Sequence, residues 1–85
     1  MPNRNNEAKT FFNRESSWAL SHGNKQSHVV VFSTQNGLAL AVLVYMNGSD
    51  LATIHFPAAT TSEAKADAIE WAKKNIDSNL SVAKN

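Results

Sequence analysis

The chain is 85 residues long, carries a formal charge of +1 and contains no cysteine. That length suits one small domain, burying roughly 60 to 65% of the surface its unfolded chain exposes, and leaves no room for a second. The charge is too small to argue for a nucleic-acid or anionic-membrane partner on bulk electrostatics, and without thiols there is neither a disulfide framework nor a thiolate metal site.

The chain opens on polar residues. MPNRNNEAK lacks the apolar core of a signal peptide, and no apolar run approaches the roughly 18 residues of a membrane helix, so the expectation is a soluble, cytoplasmic protein. Residues 1–6 have nothing to bury and should fray. Asn6 can cap a short helix from Glu7 to about Arg14, with Glu7 at the positive end of its dipole and Phe11 and Phe12 as its large apolar groups; an aromatic loop is the other reading. In ESSWALSHGNKQS, Trp18 and Leu20 alternate with polar residues and Gly23-Asn24 supplies a turn, which reads as a short edge strand or as a covering loop.

Residues 28–56 organise the rest: HVVVFSTQ, then Asn36-Gly37, then LALAVLVYM, then Asn47-Gly48, then SDLATIHF. Asn-Gly between β-rich runs is a strong hairpin signal, because a type I′ turn needs positive φ at both central residues. Two such turns predict a three-stranded antiparallel meander, with a fourth edge strand if the Trp18 segment pairs. Pro57 should end the third strand. Thr60-Thr61-Ser62-Glu63 then has the spacing of a capping box, and a helix is predicted over residues 62–76. Ala64, Ala68, Ala72 and Ile76 recur every fourth residue, with Ile69 and Trp71 beside them, and Glu70 can pair with Lys74. The tail, residues 77–85, is polar and expected to be loose. The fold class is therefore α+β, a single domain with a meander packed against a C-terminal helix.

If both turns hold two residues, counting outward assigns every side chain to a face. Face one collects Val29, Val31, Leu38, Leu40, Val42, Val44 and Leu51 with Ser33, Thr53 and His55; face two collects Val30, Phe32, Ala39, Ala41, Leu43, Tyr45, Ala52, Ile54 and Phe56 with His28 and Thr34. Both are apolar, and residues 29–62 hold one charged side chain, Asp50. The helix can cover only one, and the small Ala39, Ala41 and Ala52 place it on face two. Leaving the aliphatic groups of face one wet would forfeit on the order of 10 kcal/mol, about the whole stability of such a domain. Three lids are conceivable: the N-terminal segment with Phe11, Phe12 and Trp18, a second copy of the chain, or a different protein.

Chemistry-bearing residues are sparse. His22, His28 and His55 have no helical i, i+4 spacing or paired carboxylate that would make a metal site, so no metal or cofactor is expected. Ser33, His55 and Asp50 can be written as a triad, but no nucleophile-elbow sequence surrounds them. Glu63, Asp67 and Glu70 suit a solvated helix face, the glycines are isolated turn residues, and two glycosylation sequons lack a secretory signal. No catalytic set emerges, and the chain reads as a non-enzymatic protein-binding or regulatory module, inhibitor- or adaptor-like, acting through face one or a sheet edge and able to act as a homodimer. The residues expected to bind protein are Val29, Val31, Leu40, Val42 and Val44.

Nucleic acid is the rival partner. Arg4, Lys9, Arg14 and Lys25 give the N-terminal third a positive excess with Trp18, Phe11 and Phe12 among them, as in a surface that stacks bases between phosphate contacts. His28-Val-Val-Val-Phe32 and Glu63-Ala-Lys-Ala-Asp-Ala68 resemble fragments of the double-stranded RNA-binding domain, a family whose order is helix, three strands, helix. Extra residues separate the two fragments here, and Ser62 and Glu63 stand where the family opens its last helix with paired lysines. The phosphate-binding part is thus missing, and the resemblance implies a shared element order without the family's activity.

Overall fold

A computed structural model describes residues 12–85. In chain order the elements are β1 (Phe12–His22), β2 (Lys25–Thr34), β3 (Ala39–Asn47), β4 (Asp50–Ala58), α1 (Thr61–Asn75) and β5 (Ser81–Lys84). All pairings are antiparallel, and the five strands lie in the order β4-β3-β2-β1-β5. The fold is α+β: four strands run as a meander, the helix crosses one side of the sheet, and the last strand joins the far edge.

The sheet has five strands against the three, or four with the Trp18 segment, that the sequence predicts; that segment does pair as the fourth, and the predicted N-terminal helix is replaced where it is described. Phe12–Arg14 are strand, and the rest of that helix, Glu7–Phe11, lies outside the described residues together with the segment expected to fray. Local capping favoured a helix, whereas the long ladder that β1 makes with β2 satisfies its backbone better. Gly23 has φ 65 and among the described residues no non-glycine has positive φ, so Gly23-Asn24 fits a type II′ hairpin, with glycine first. The expected loose tail also departs from prediction: Ser81–Lys84 pair with Trp18–Ser21, and the Asn85 amide continues the ladder by donating to Ser17 O at 2.9 Å.

The β2–β3 hairpin decides the faces. The Thr34 amide donates to Leu38 O at 2.8 Å and the Gly37 amide to Thr34 O at 3.1 Å, closing a three-residue loop on a glycine with φ 85. The Thr34 hydroxyl accepts from the amides of Asn36 and Leu38, which ties the longer loop together. One residue more than expected slides β2 against β3, so Val31 faces Ala41 and Val29 faces Leu43. A slip of one reverses the faces of a whole strand. Val29, Val31 and Ser33 therefore move to the helix side, while His28, Val30, Phe32 and Thr34 move to the other. The β3–β4 turn is Gly48-Ser49, not Asn47-Gly48, and shifts the register by two, which preserves the predicted faces. Pro57 does not end its strand; it sits within β4, at an edge where proline is tolerated.

On the covered side, α1 lies over β2, β3 and β4. Ala64, Ala68 and Ala72 are fully buried in one cluster with Leu20, Val29, Val31, Ala39, Ala41, Leu43 and Leu80. Alanine on helix and sheet alike lets the two backbones approach, and Trp71, Ile69, Tyr45 and Phe56 fill the margins. Trp71 and Tyr45 meet with ring centroids 5.3 Å apart. Thr60 caps the helix: its hydroxyl accepts from the Glu63 amide and donates to the Glu63 carboxylate, both at 3.1 Å, and Glu70 pairs with Lys74 at 3.5 Å. Thr60→Ala should lower stability by about 1 kcal/mol, and Ala68→Leu, which forces three more carbon atoms into a closed contact, by about 1 to 3 kcal/mol. Urea unfolding followed by circular dichroism measures both, and an undiminished midpoint for Ala68→Leu would show that the helix is not seated through its alanines.

Candidate functional site

The side of the sheet away from α1 is built by alternation along each strand. Strand β3 contributes Leu40, Val42, Val44 and Met46; β4 contributes Leu51, Thr53, His55 and Pro57; β2 contributes Val30 with His28. Across the ladders Val30 meets Val42, which meets His55, and Val44 meets Thr53. Val30, Leu40, Val42 and Val44 are partly exposed, and Met46 and Leu51 are 49% and 69% exposed. Among the described residues no helix or loop lies over this face. Among the described residues its only charged side chain is at the β1 end, where Arg14 lies across from Phe32 and donates to the Ser17 hydroxyl at 3.0 Å.

Of the residues expected to bind protein, the structure gathers Leu40, Val42 and Val44 on this open face and separates Val29 and Val31 from it. Those two are 0% and 1% exposed beneath the helix, so their assignment to the uncovered side is corrected. Val30 takes their place, a residue that sequence counting put on the wrong side because the loop length was wrong. The expected lid fails for Trp18, which faces the helix side opposite Val29. Its indole donates to the Ser16 hydroxyl at 3.1 Å, and the Lys65 ammonium sits 3.4 Å from its ring centroid, a cation–π contact. Of the other two named lid residues, Phe11 lies outside the described residues and Phe12 is the first residue of β1. At the end of the sheet, Leu38, Leu40 and Pro57 help line a shallow groove of about 470 Å³ that extends the apolar surface.

The residues named for nucleic acid are not brought to one surface. Arg14 is on the open side, Trp18 on the helix side with its ring face occupied by Lys65, Lys25 beside the β1–β2 turn, and Lys9 outside the described residues. Among the described residues four strands precede the helix and a fifth follows it, whereas the double-stranded RNA-binding domain has three strands before its last helix. Ser33, His55 and Asp50 are likewise dispersed: Ser33 donates to the Glu15 carboxylate on the helix side, His55 is exposed on the open face, and Asp50 closes a turn. His22 shares a hydrogen bond with the Ser27 hydroxyl at 3.0 Å. Among the described residues no three His, Asp or Glu side chains converge as metal ligands would, and no helix is long and apolar enough to cross a membrane.

Comparison of the chain with protein-family models, with curated proteins and with solved structures finds no match. The functional reading therefore rests on this geometry. The two sides of the sheet give it a direct check: Val31→Asp, a charge buried without a partner, should cost about 3 kcal/mol or more and unfold the domain, whereas Val42→Asp on the open face should leave a cooperative fold. Thermal melts of the two variants decide it, and the reverse order would mean that the faces are exchanged.

Proposed function

We propose that this chain is a non-enzymatic protein-binding module, inhibitor- or adaptor-like, whose working surface is the open face of its sheet. The observation that supports this most is a run of aliphatic side chains, Val30, Leu40, Val42, Val44, Met46 and Leu51, set side by side on three strands with no Asp, Glu, Lys or Arg among them. A contiguous apolar patch of a few hundred Å² on a folded domain usually marks an interaction surface, because water around it is released on contact. Of the strands beneath it, β2 and β3 are held by hydrogen bonds on both sides and β4 by its ladder with β3, with the helix packed behind all three, so the patch is preorganised and little conformational entropy is lost on binding. Such a surface selects a partner of matching chemistry: an uncharged, apolar strip on another polypeptide, with polar groups only at its rim.

The test is capture of a partner by the immobilised chain, compared with two variants. Val42→Asp places an unpaired carboxylate at the centre of the face and should abolish capture, while Lys73→Glu on the exposed side of the helix should leave it intact. Equal capture by both variants would overturn the assignment of the working surface.

A further inference from the structure

The two edges of the sheet are guarded very differently. On the β1 side, the register shifts between Arg14 and Ser16, which makes a bulge, and Arg14 and Glu15 supply charge. The outermost strand there, β5, is four residues long and ends in Lys84. Bulges, charges and short outer strands are the devices that stop another chain from adding to a sheet. The opposite edge has none of them along its middle. Strand β4 runs nine residues, pairs with β3 without a break in register, and holds no Asp, Glu, Lys or Arg from Leu51 to Ala58.

The hydrogen-bonding direction of each β4 residue follows from its turn. A two-residue hairpin loop is closed by a pair that exchanges both main-chain bonds, here Asn47 and Asp50, and such pairs alternate along an antiparallel ladder. By that count Ala52, Ile54 and Phe56 aim their amides and carbonyls at β3, and Leu51, Thr53 and His55 aim theirs away from the sheet. Pro57 falls in the outward set, where a missing N–H costs no bond within the sheet. The edge thus offers an alternating row of donors and acceptors that stops at a proline.

We infer that β4 pairs with β4 of a second copy of this chain, antiparallel and centred on Thr53. In that register Leu51 lies opposite His55 of the other copy and Thr53 opposite its equivalent, so all three outward-facing residues exchange bonds in pairs. A shift of one residue would set outward groups against inward ones. A shift of two toward Pro57 would bring its missing donor into the ladder on both copies. No like charges meet, since Asp50 falls opposite Phe56. On the helix side, the flank beside Phe56 and Trp71 carries Asp67 and Glu70 with Lys74, a mixed set that raises no single-sign barrier. The two-fold axis stands perpendicular to the sheet, so both open faces lie on one side and both helices on the other, and the apolar surface becomes continuous across two copies. The inference deepens the reading above by giving that surface its assembled form, and it is tested through main-chain groups that reading does not use. An interface of one strand from each copy belongs to the small class, below about 1,200 Å², that is typical of weak, transient association.

Amide hydrogen exchange read by NMR, with light scattering on the same samples, tests it across a concentration series spanning the micromolar range. The expected result is a monomer–dimer equilibrium in which the Leu51, Thr53 and His55 amides gain protection as the dimer forms, while those of Ala52, Ile54 and Phe56 are protected throughout. Thr53→Lys sets two ammonium groups against each other at the axis and should weaken association several-fold, most strongly at low salt; the Ala52, Ile54 and Phe56 amides report in the same spectra that the variant is folded. Val42→Asp should leave the dimer in place. A dimer that withstands Thr53→Lys and is lost in Val42→Asp would overturn edge pairing and leave the open-face reading standing. A chain that stays monomeric with all three outward amides exchanging freely also overturns it. Edge protection together with partner capture indifferent to Val42→Asp would do the reverse, keeping the pairing and removing the open-face reading.

Discussion

A single helix can cover one side of a sheet, and here both sides of the central strands are apolar. Much of the molecule follows from that mismatch. The stripe Ala64, Ala68 and Ala72 is buried with Ala39 and Ala41 of β3, and side chains this short let the helix lie close to the strands rather than ride above them. Close seating seals Val29, Val31 and Leu43 under the helix, and among the described residues no second helix lies on the other side of β3. The larger groups, Trp71, Tyr45, Phe56 and Trp18, stand at the margins of the contact, where bulk closes the core without separating the two layers. Hydrophobic gain per residue is modest for alanine, so the stability of the domain draws on the fully buried valines and leucines beneath the helix and on the long ladders that join the strands.

The uncovered side is then a consequence of composition rather than of an accident of packing. Strands that alternate apolar and polar residues present water with a polar face; β3 alternates apolar with apolar, as strands covered on both sides do. Neighbouring side chains shield one another enough that Val30, Leu40, Val42 and Val44 are only partly exposed, yet Met46 and Leu51 at the β3–β4 end stand well out of the surface. The free edge of β4 borders this same end. Face and edge are therefore not independent features: Leu51, Thr53 and His55 carry their side chains on the open face and their main-chain groups on the outward edge, so one strand presents both an apolar surface and a hydrogen-bonding rim to whatever meets it.

The rest of the polar chemistry of the molecule is local bookkeeping within the fold. Thr60 and Glu63 close the helix N-terminus, Thr34 ties the β2–β3 loop, Ser27 meets His22, and Asn85 anchors the last strand to Ser17 through its backbone and side chain. The Thr60, Thr34 and Asn85 contacts satisfy main-chain groups that strand or helix ends leave open, and the Ser27–His22 bond joins two side chains across the β1–β2 hairpin. They account for the polar residues that border the sheet without gathering them at a common point, and the apolar face is left as the feature of the molecule that structural needs do not explain.

Several elements were legible from the letters alone because their signals are local. The helix, its cap at Thr60, the Glu70–Lys74 pair, the alanine stripe and the side of the sheet it covers all follow from spacings within a few residues. So does the division of β3 and β4 into two faces, since a register shift of two preserves parity. What only the tertiary structure decided are the pairings that depend on distant chain segments. The length of one hairpin loop, set by Thr34 and Gly37, reversed β2 and moved Val29 and Val31 from the expected binding surface into the core, with Val30 passing the other way. Phe12–Arg14 became strand because β2 was there to receive them, against a local helix signal, and Ser81–Lys84 became strand through main-chain bonds to β1 that four exposed side chains could not announce. Spacing along a chain specifies which residues share a face of one element; which element lies beside it, and in what register, is settled by backbone hydrogen bonds between segments far apart in sequence.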